Sequence, residues 1–296
     1  METERRLVRL ADGRDIEFLT AGPADGLPLA VHEGTPVGLA LNNRLASAAA
    51  GRGLRVVQVA RPGYEGSTSR PGRTVADFVP DVIAVLDEIG AAEFVSIGFS
   101  GGGPHTLACG ALAPERCLGT ASVAGAAPYR VEGLDFLAGM GPENVEEFSL
   151  AIRGADALTP FLEKEAAALR GITGDQIVAS LGGLISGADA AVLTGEFAAD
   201  LAKGLSGALR NGIAGWRDDD LAFVADWGFP LDALRGRAAI WQGDQDNMVP
   251  FAHGQWLAAH IPGASVHLEP GAGHLTMTVT AIGRILDDLL DLARRG

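Results

Sequence analysis

The stretch Val95-Ser96-Ile97-Gly98-Phe99-Ser100-Gly101-Gly102-Gly103-Pro104-His105 leaves the chain few ways to fold. An apolar, strand-like run ends in Gly98-x-Ser100-x-Gly102, and a helical pattern begins at once. This is the wording of a nucleophile elbow, in which a serine sits on a tight turn between a strand and a helix. Such a turn holds the serine at strained backbone angles, and a side chain at either flanking glycine would collide with neighbouring backbone. Because 41 of 296 residues are glycine, the pattern alone is weak, and an ordinary turn serine is the competing reading. The pattern occurs once, however, with a strand before it and a helix after it.

The neighbouring segments extend this unit into a sheet. Residues 7–10 and 16–19 read as antiparallel strands joined at Asp12-Gly13, a dipeptide suited to a tight hairpin. Residues 28–32, 54–59, 94–98, 118–123, 238–243 and 265–269 read as further strands, most of them of buried type. Helices are expected at 38–50, 75–89, 104–112, 252–260 and 282–294, the second capped by Thr74 with Asp77. The alternation predicts an α/β fold: a doubly wound, mostly parallel sheet with antiparallel N-terminal strands.

Between residues 129 and 227 the strand pattern disappears and helices are expected, for example at 144–152, 160–169, 175–185 and 190–201. This stretch holds 16 Asp and Glu against 7 Lys and Arg, so it carries −9 of the net charge of −14. The chain therefore divides into a core of residues 1–128 and 228–296 and an inserted helical lid of residues 129–227. Its 47% apolar content is ample for one large core. No apolar run approaches the roughly 18 residues that would span a membrane. Residues 1–6 are charged and lead into no apolar signal segment, which makes the cytoplasm the expected location. An acidic chain without a basic patch argues against nucleic acid or an anionic membrane as partner. The two cysteines, Cys109 and Cys117, cannot form a disulfide framework and are expected as buried thiols.

A serine nucleophile needs a base, and the base needs an orienting acid. Two later loops offer both at the ends of expected strands: Gly243-Asp244-Gln245-Asp246-Asn247-Met248-Val249-Pro250 and Pro270-Gly271-Ala272-Gly273-His274. The chain order is then Ser100, Asp246, His274, and in a parallel sheet such loops converge at the carboxyl ends of the strands. Asp244 competes with Asp246, but the spacing from Gly243 and the following Val249-Pro250 favour Asp246 and leave Asp244 as a loop cap. Of the other histidines, His253 and His260 are expected on the surface of one helix, His267 in a strand and His32 in packing. His105, on the elbow helix, is expected in a structural role, with a place at the base of the pocket as the alternative. Asp218-Asp219-Asp220 reads as a solvated helix start, with a metal site as the minor alternative.

Together these residues resemble the α/β-hydrolase superfamily, and within it the bacterial capped serine hydrolases. The markers are Gly34-Thr35-Pro36, Arg61-Pro62-Gly63-Tyr64-x-Gly66-Ser67, the elbow, Gly243-x-x-Asp246-x-x-Val249-Pro250 and Gly273-His274. They cover nearly the whole chain outside the lid. The resemblance implies Ser100 as nucleophile, His274 as base and then acid, Asp246 as orienter, and an oxyanion hole from the N–H groups of Gly101 and Thr35. It further implies a carboxylesterase that cleaves a small or medium apolar ester through an acyl-enzyme, without cofactor or metal. The implied partner is a small-molecule substrate, and the implied state is a monomer or homodimer. Candidate substrate-binding residues are Phe99, Phe136, Phe148 and Trp216. An elbow serine counts against the epoxide hydrolases and haloalkane dehalogenases of this superfamily, which use an aspartate there.

One departure lies beside the oxyanion loop. Relatives often carry histidine directly before the turn glycine, where this chain has Glu33. A carboxylate aimed at an oxyanion would oppose it, so Glu33 is expected to point away or to be paired, with Arg61 the candidate. Two alternatives stay open. The acidic lid would suit the free amine of a substrate of a proline iminopeptidase-like aminopeptidase, although the turn sequence and the absence of Trp after Ser100 differ. A non-catalytic binding protein on the same fold is the other.

Overall fold

In the computed structural model, which describes residues 3–295, eight strands form one sheet in the order β1-β2-β4-β3-β5-β6-β7-β8. They are β1 (Thr3–Arg9), β2 (Asp15–Ala21), β3 (Leu27–His32), β4 (Leu54–Val59), β5 (Phe94–Phe99), β6 (Cys117–Val123), β7 (Ala238–Gly243) and β8 (Ser265–Glu269). Met1, Glu2 and Gly296, at the ends of the expected core segments, lie outside the described residues. The pairs β1–β2 and β2–β4 are antiparallel and the others parallel, as the strand pattern predicts. The chain runs from β3 outward to β4 and then returns to the other side of β3 as β5. Ligand sites of such sheets form where the strand order reverses, at the carboxyl ends of the strands.

Alternation along the strands sends side chains to two cores. On one face Leu29, Val31, Val56, Val95 and Ile97 pack with α1 (Asn43–Ala50) and α12 (Ile282–Arg295). On the other, Ala30, Val57, Val59, Phe94 and Ile240 pack with α2 (Val79–Glu88), α3 (Gly102–Leu112) and α10 (Phe251–His260). Two helices begin later than the sequence periodicity predicts. Helix α1 starts after Asn42, whose side chain accepts the N–H groups of Arg44 and Leu45 at 3.0 Å each. Helix α2 starts just before Pro80, which lacks an N–H and is tolerated only in a first turn. The residues before it, Ala76–Phe78, form a 3-10 turn, with Asp77 accepting the Thr74 N–H at 2.8 Å.

Among the described residues between β6 and β7 there is no strand. The stretch contains α4 (Pro142–Arg153), α5 (Ala155–Leu169), α6 (Gly174–Leu181), α7 (Gly187–Val192), α8 (Gly195–Ala208) and α9 (Ala214–Phe223). It has a small core of its own around Ile172, Ile177, Leu193, Ala202 and Leu205. Leu275, from α11 (His274–Thr280), inserts into that core and joins the inserted helices to the sheet domain. Among the described residues no helix is long and apolar enough to cross a membrane.

Candidate active site

Ser100 stands at the carboxyl end of β5 with φ +53°, a left-handed conformation that costs a non-glycine residue on the order of 1–3 kcal/mol. The turn is fixed by the Ser100 N–H donating to the Val123 carbonyl at 2.9 Å and the Gly103 N–H donating to the Ser100 carbonyl at 2.8 Å. Both flanking glycines are required. A Cβ at Gly98 would lie 2.1 Å from the Gly102 carbonyl oxygen, and one at Gly102 would lie 2.0 Å from that of His32.

His274 opens α11 after β8, and Asp246 follows β7. The His274 Nδ1 lies 2.8 Å from Asp246 Oδ2. Asp246 is held from three more sides: Oδ1 accepts the N–H groups of Met248 and Val249 at 2.9 and 2.8 Å, and Oδ2 accepts Gln242 Nε2 at 2.9 Å. Asp244 is exposed and caps the neighbouring loop by accepting the Gly271 N–H at 2.7 Å. Burial disfavours the charged imidazole, but the Asp246 carboxylate, with a smaller contribution from Asp189, outweighs it and raises His274 above the ordinary histidine range. Among the described residues Ser100 and His274 make no hydrogen bond to each other, but both line one cavity of about 240 Å³. Such contacts are often long before a substrate is bound.

Thr35 and Gly101 line the same cavity, and the Thr35 side chain packs on Gly101: a Cβ there would lie 2.5 Å from Thr35 Oγ1. Arg61 donates to the carbonyl oxygens of Glu33 and Gly34 at 2.7 and 3.0 Å. In a trans peptide the N–H points opposite to the C=O, so this grip turns the Thr35 N–H away from Arg61. Among the described residues neither the Thr35 nor the Gly101 N–H has an acceptor. The expected pairing of the Glu33 side chain with Arg61 is corrected. Its Oε1 accepts Gln58 Nε2 at 2.7 Å, while Arg61 holds only its backbone. Burial pushes Glu33 up to about 7, with Arg61 opposing.

Two acidic residues, Asp189, which the sequence did not single out, and Asp219, read there as solvated, organise these groups. Asp189, fully buried on α7, accepts the N–H groups of His274, Leu275 and Thr276 at 3.0, 2.8 and 2.9 Å, and the Thr276 hydroxyl at 2.9 Å. It satisfies the unpaired N–H groups of the first turn of α11 from outside that helix. A Cβ at Gly273 would lie 2.4 Å from Asp189 Oδ2, which explains the glycine before the histidine. Asp219 does the equivalent for the oxyanion loop. Its Oδ2 receives Thr35 Oγ1, the Arg61 guanidinium and the Tyr64 hydroxyl at 2.8, 2.8 and 2.9 Å, and Oδ1 receives Arg73. Burial alone would raise Asp219, but Arg61 and Arg73 hold it well below the usual carboxylate range.

The reading of Asp218-Asp219-Asp220 as a solvated helix start is therefore corrected. The three are 2%, 0% and 1% exposed. They lie in the middle of α9; Asp218 is held by the neighbouring Arg217, whereas the partners of Asp219 are remote in the chain and left no local mark. His253 is likewise buried rather than on the surface, with Nδ1 accepting the Ala127 N–H at 3.1 Å and Nε2 donating to the Phe136 carbonyl at 3.0 Å. His260 is exposed. His105 is packed between Phe78 and Phe223 and does not line the cavity. Cys109 and Cys117 are buried thiols, and burial pushes Cys109 up to about 12.

Of the four aromatic candidates, Phe99, Phe148 and Trp216 line the cavity. Phe136 does not; it packs behind Phe148 at a ring distance of 5.4 Å and against His253 at 5.0 Å. Phe161 and Phe223 also line the cavity. Among the described residues no group of three or more His, Cys, Asp or Glu side chains is placed to hold a metal ion.

A family model described as the alpha/beta hydrolase fold matches residues 28–279. The chain belongs to the alpha/beta hydrolase fold family. Solved structures extend the likeness to nearly full length. A hydrolase from Pseudomonas aeruginosa is 20% identical over 97% of this chain and 98% of its own, with a TM-score of 0.67. A thermophilic esterase from Thermogutta terrifontis is 17% identical over 98% and 99%, with a TM-score of 0.67. An epoxide hydrolase from Vigna radiata is 14% identical over 98% and 98%, with a TM-score of 0.69. At these identities the likeness concerns the alpha/beta hydrolase fold alone. A search of curated proteins finds no significant match.

Proposed function

We propose that this alpha/beta hydrolase cleaves a carboxylic ester with Ser100, His274 and Asp246 as its catalytic triad. The observation that carries this reading is the strained Ser100 sharing a cavity with His274, whose far nitrogen lies 2.8 Å from a buried carboxylate. In the proposed mechanism Asp246 accepts a hydrogen bond from Nδ1–H and so leaves Nε2 free to take the proton of Ser100 as the hydroxyl attacks the ester carbonyl. The oxyanion would accept the N–H groups of Gly101 and Thr35, each worth about 3–4 kcal/mol of transition-state stabilisation. The protonated imidazole returns its proton to the leaving alcohol, and water then releases the acyl group by the same steps. Residues 129–227 act as the lid, because they supply a large part of the apolar cavity wall, with Phe148, Phe161, Phe197, Leu201, Leu205 and Trp216 among them.

The test is active-site labelling with a fluorophosphonate together with turnover of a p-nitrophenyl ester series. Phosphonylation at Ser100, found by peptide mass mapping, and turnover of short and medium acyl chains are expected. Folded protein that neither labels nor turns over any ester would refute the reading.

Asp189 enters as a positioning residue. An amide at this position can accept with one oxygen only and turns an N–H toward the donors of α11. Asp189→Asn is expected to lower kcat/KM about 10–100-fold through displacement of His274. It also removes a negative charge that helps to raise His274, so the neutral base persists to lower pH. The acid limb of the kcat/KM profile is thus expected to move to lower pH in the variant; an unmoved limb would reduce Asp189 to a purely structural role.

A further inference from the structure

The cavity over Ser100 is mostly apolar, yet five carboxylic acids face it: Glu33, Glu143, Glu147, Glu165 and Asp220. Among the described residues no lysine or arginine does. Glu33 has Gln58 as its partner, and Glu143 accepts the Gly183 N–H at 3.1 Å. Glu147 and Asp220 form a separate unit. Asp220, on α9, is 1% exposed, and neither of its oxygens meets a donor. The side chain it faces is another acid, Glu147 on α4, whose Oε1 accepts the indole N–H of Trp216 at 2.7 Å.

Two adjacent carboxyl groups in an apolar site cannot both ionise readily. Burial first, and Glu147 second, push Asp220 well above the usual carboxylate range. Burial also raises Glu147, with Asp220 and the Trp216 N–H opposing it only in part. Glu147 is thus oriented by the indole of Trp216 before any ligand arrives, and one proton shared between the two acids leaves the pair a single negative charge. The other charge that acts on it is Glu165, of like sign. Arg73, bound to Asp219, opposes the rise of Asp220 only as the smallest influence, and neither Arg73 nor Arg61 lines the cavity. A partly buried acid pair without a counter-charge is stabilised by a ligand that supplies one.

The geometry points to a binding site for a protonated amine: Glu147, backed by Asp220 and Trp216 and flanked by Glu165, takes the ammonium group of a substrate whose ester lies at Ser100. Phe148, Phe161 and Trp216 line the same space, and their ring faces suit a cation. The substrate class assigned is thus an amine-bearing ester. The word substrate rests on the hydrolase reading above, whereas the cation site stands independently of it.

The two are separated by pairing a binding measurement with a kinetic one. In calorimetry on the wild-type protein, hexylammonium chloride is expected to bind about tenfold or more tightly than hexan-1-ol, the margin of a charge-assisted hydrogen bond. Glu147→Gln keeps an acceptor for Trp216 and is expected to abolish that margin while leaving hexan-1-ol binding unchanged. Asp220→Asn keeps a donor toward Glu147 and is expected to retain the margin within about threefold, as charge-assisted bonding to an intact carboxylate requires. Equal binding of the two probes by the wild type, or a margin that survives Glu147→Gln, would overturn the site. The wild-type comparison decides even if a variant does not fold. In parallel, the p-nitrophenyl esters of 6-aminohexanoate and heptanoate are compared, with the amino ester expected to show the higher kcat/KM. Turnover of both esters without ammonium binding would remove the site and leave the hydrolase. Ammonium binding without turnover of either ester would do the reverse.

Discussion

Replacing Ser100 with alanine is expected to lower kcat for p-nitrophenyl ester hydrolysis by about a millionfold, to the residual rate that binding and the oxyanion hole alone provide. The size of the effect follows from the chemistry. Without the hydroxyl no acyl-enzyme forms, and a water molecule would have to attack from a position that the cavity was not built to hold. The fold should tolerate the change, because alanine adds no atom to the turn and leaves the Ser100 backbone hydrogen bonds in place. The φ of +53° is retained at its usual cost. The measurement is steady-state kinetics with an intact melting transition as control. A variant with full activity would place the chemistry elsewhere.

Asp246→Asn is expected to cost about 10⁴-fold in kcat, with the protein still folded. The surroundings of Asp246 show why an isosteric amide fails. If its oxygen faces the N–H groups of Met248 and Val249, its NH₂ points at His274 Nδ1 and Gln242 Nε2. The imidazole must then accept at Nδ1 and carry its proton on Nε2, where it can no longer take one from Ser100. If the amide is reversed, its NH₂ meets two backbone donors instead. The first orientation imposes the wrong tautomer, the second leaves the imidazolium without its carboxylate charge, and both leave a buried donor unpaired. Loss of the carboxylate also removes the main influence that raises His274, so any remaining activity should titrate at lower pH than in the wild type. A variant with wild-type kcat and an unshifted profile would exclude Asp246 as the orienting acid.

Much of the fold was legible in the sequence because strands and helices leave short-range periodic marks. The apolar alternation of β3 to β6 and the return of strands at β7 and β8 needed no tertiary information. The starts of α1 and α2 were misjudged by several residues. Alanine-rich periodicity ran past the Asn42 cap in one case, and the pattern continued through Pro80 in the other. The candidate triad residues were legible because each follows a strand and stands next to glycines that the backbone requires. The groups that position them were not. Asp189 and Asp219 lie 85 and 184 residues from His274 and Thr35, respectively, in helices that look like acidic surface. Phe136 and Phe148 looked equally suited to the cavity, and only their packing separated them.

By itself, the sequence determined that a strand, a strained serine and a helix follow one another, and in what order the later acid and histidine come. Those are backbone demands, and only a few residue types within a short window meet them. Tertiary structure alone decided which acids are buried and what each one holds. Asp219 is drawn down by Arg61 and Arg73, Asp189 is spent on the first turn of α11, and Asp220 is pushed up by burial beside Glu147. The fate of a carboxylate depends on its solvent exposure and on charges brought near it from distant parts of the chain. Neither is written in its neighbours along the sequence.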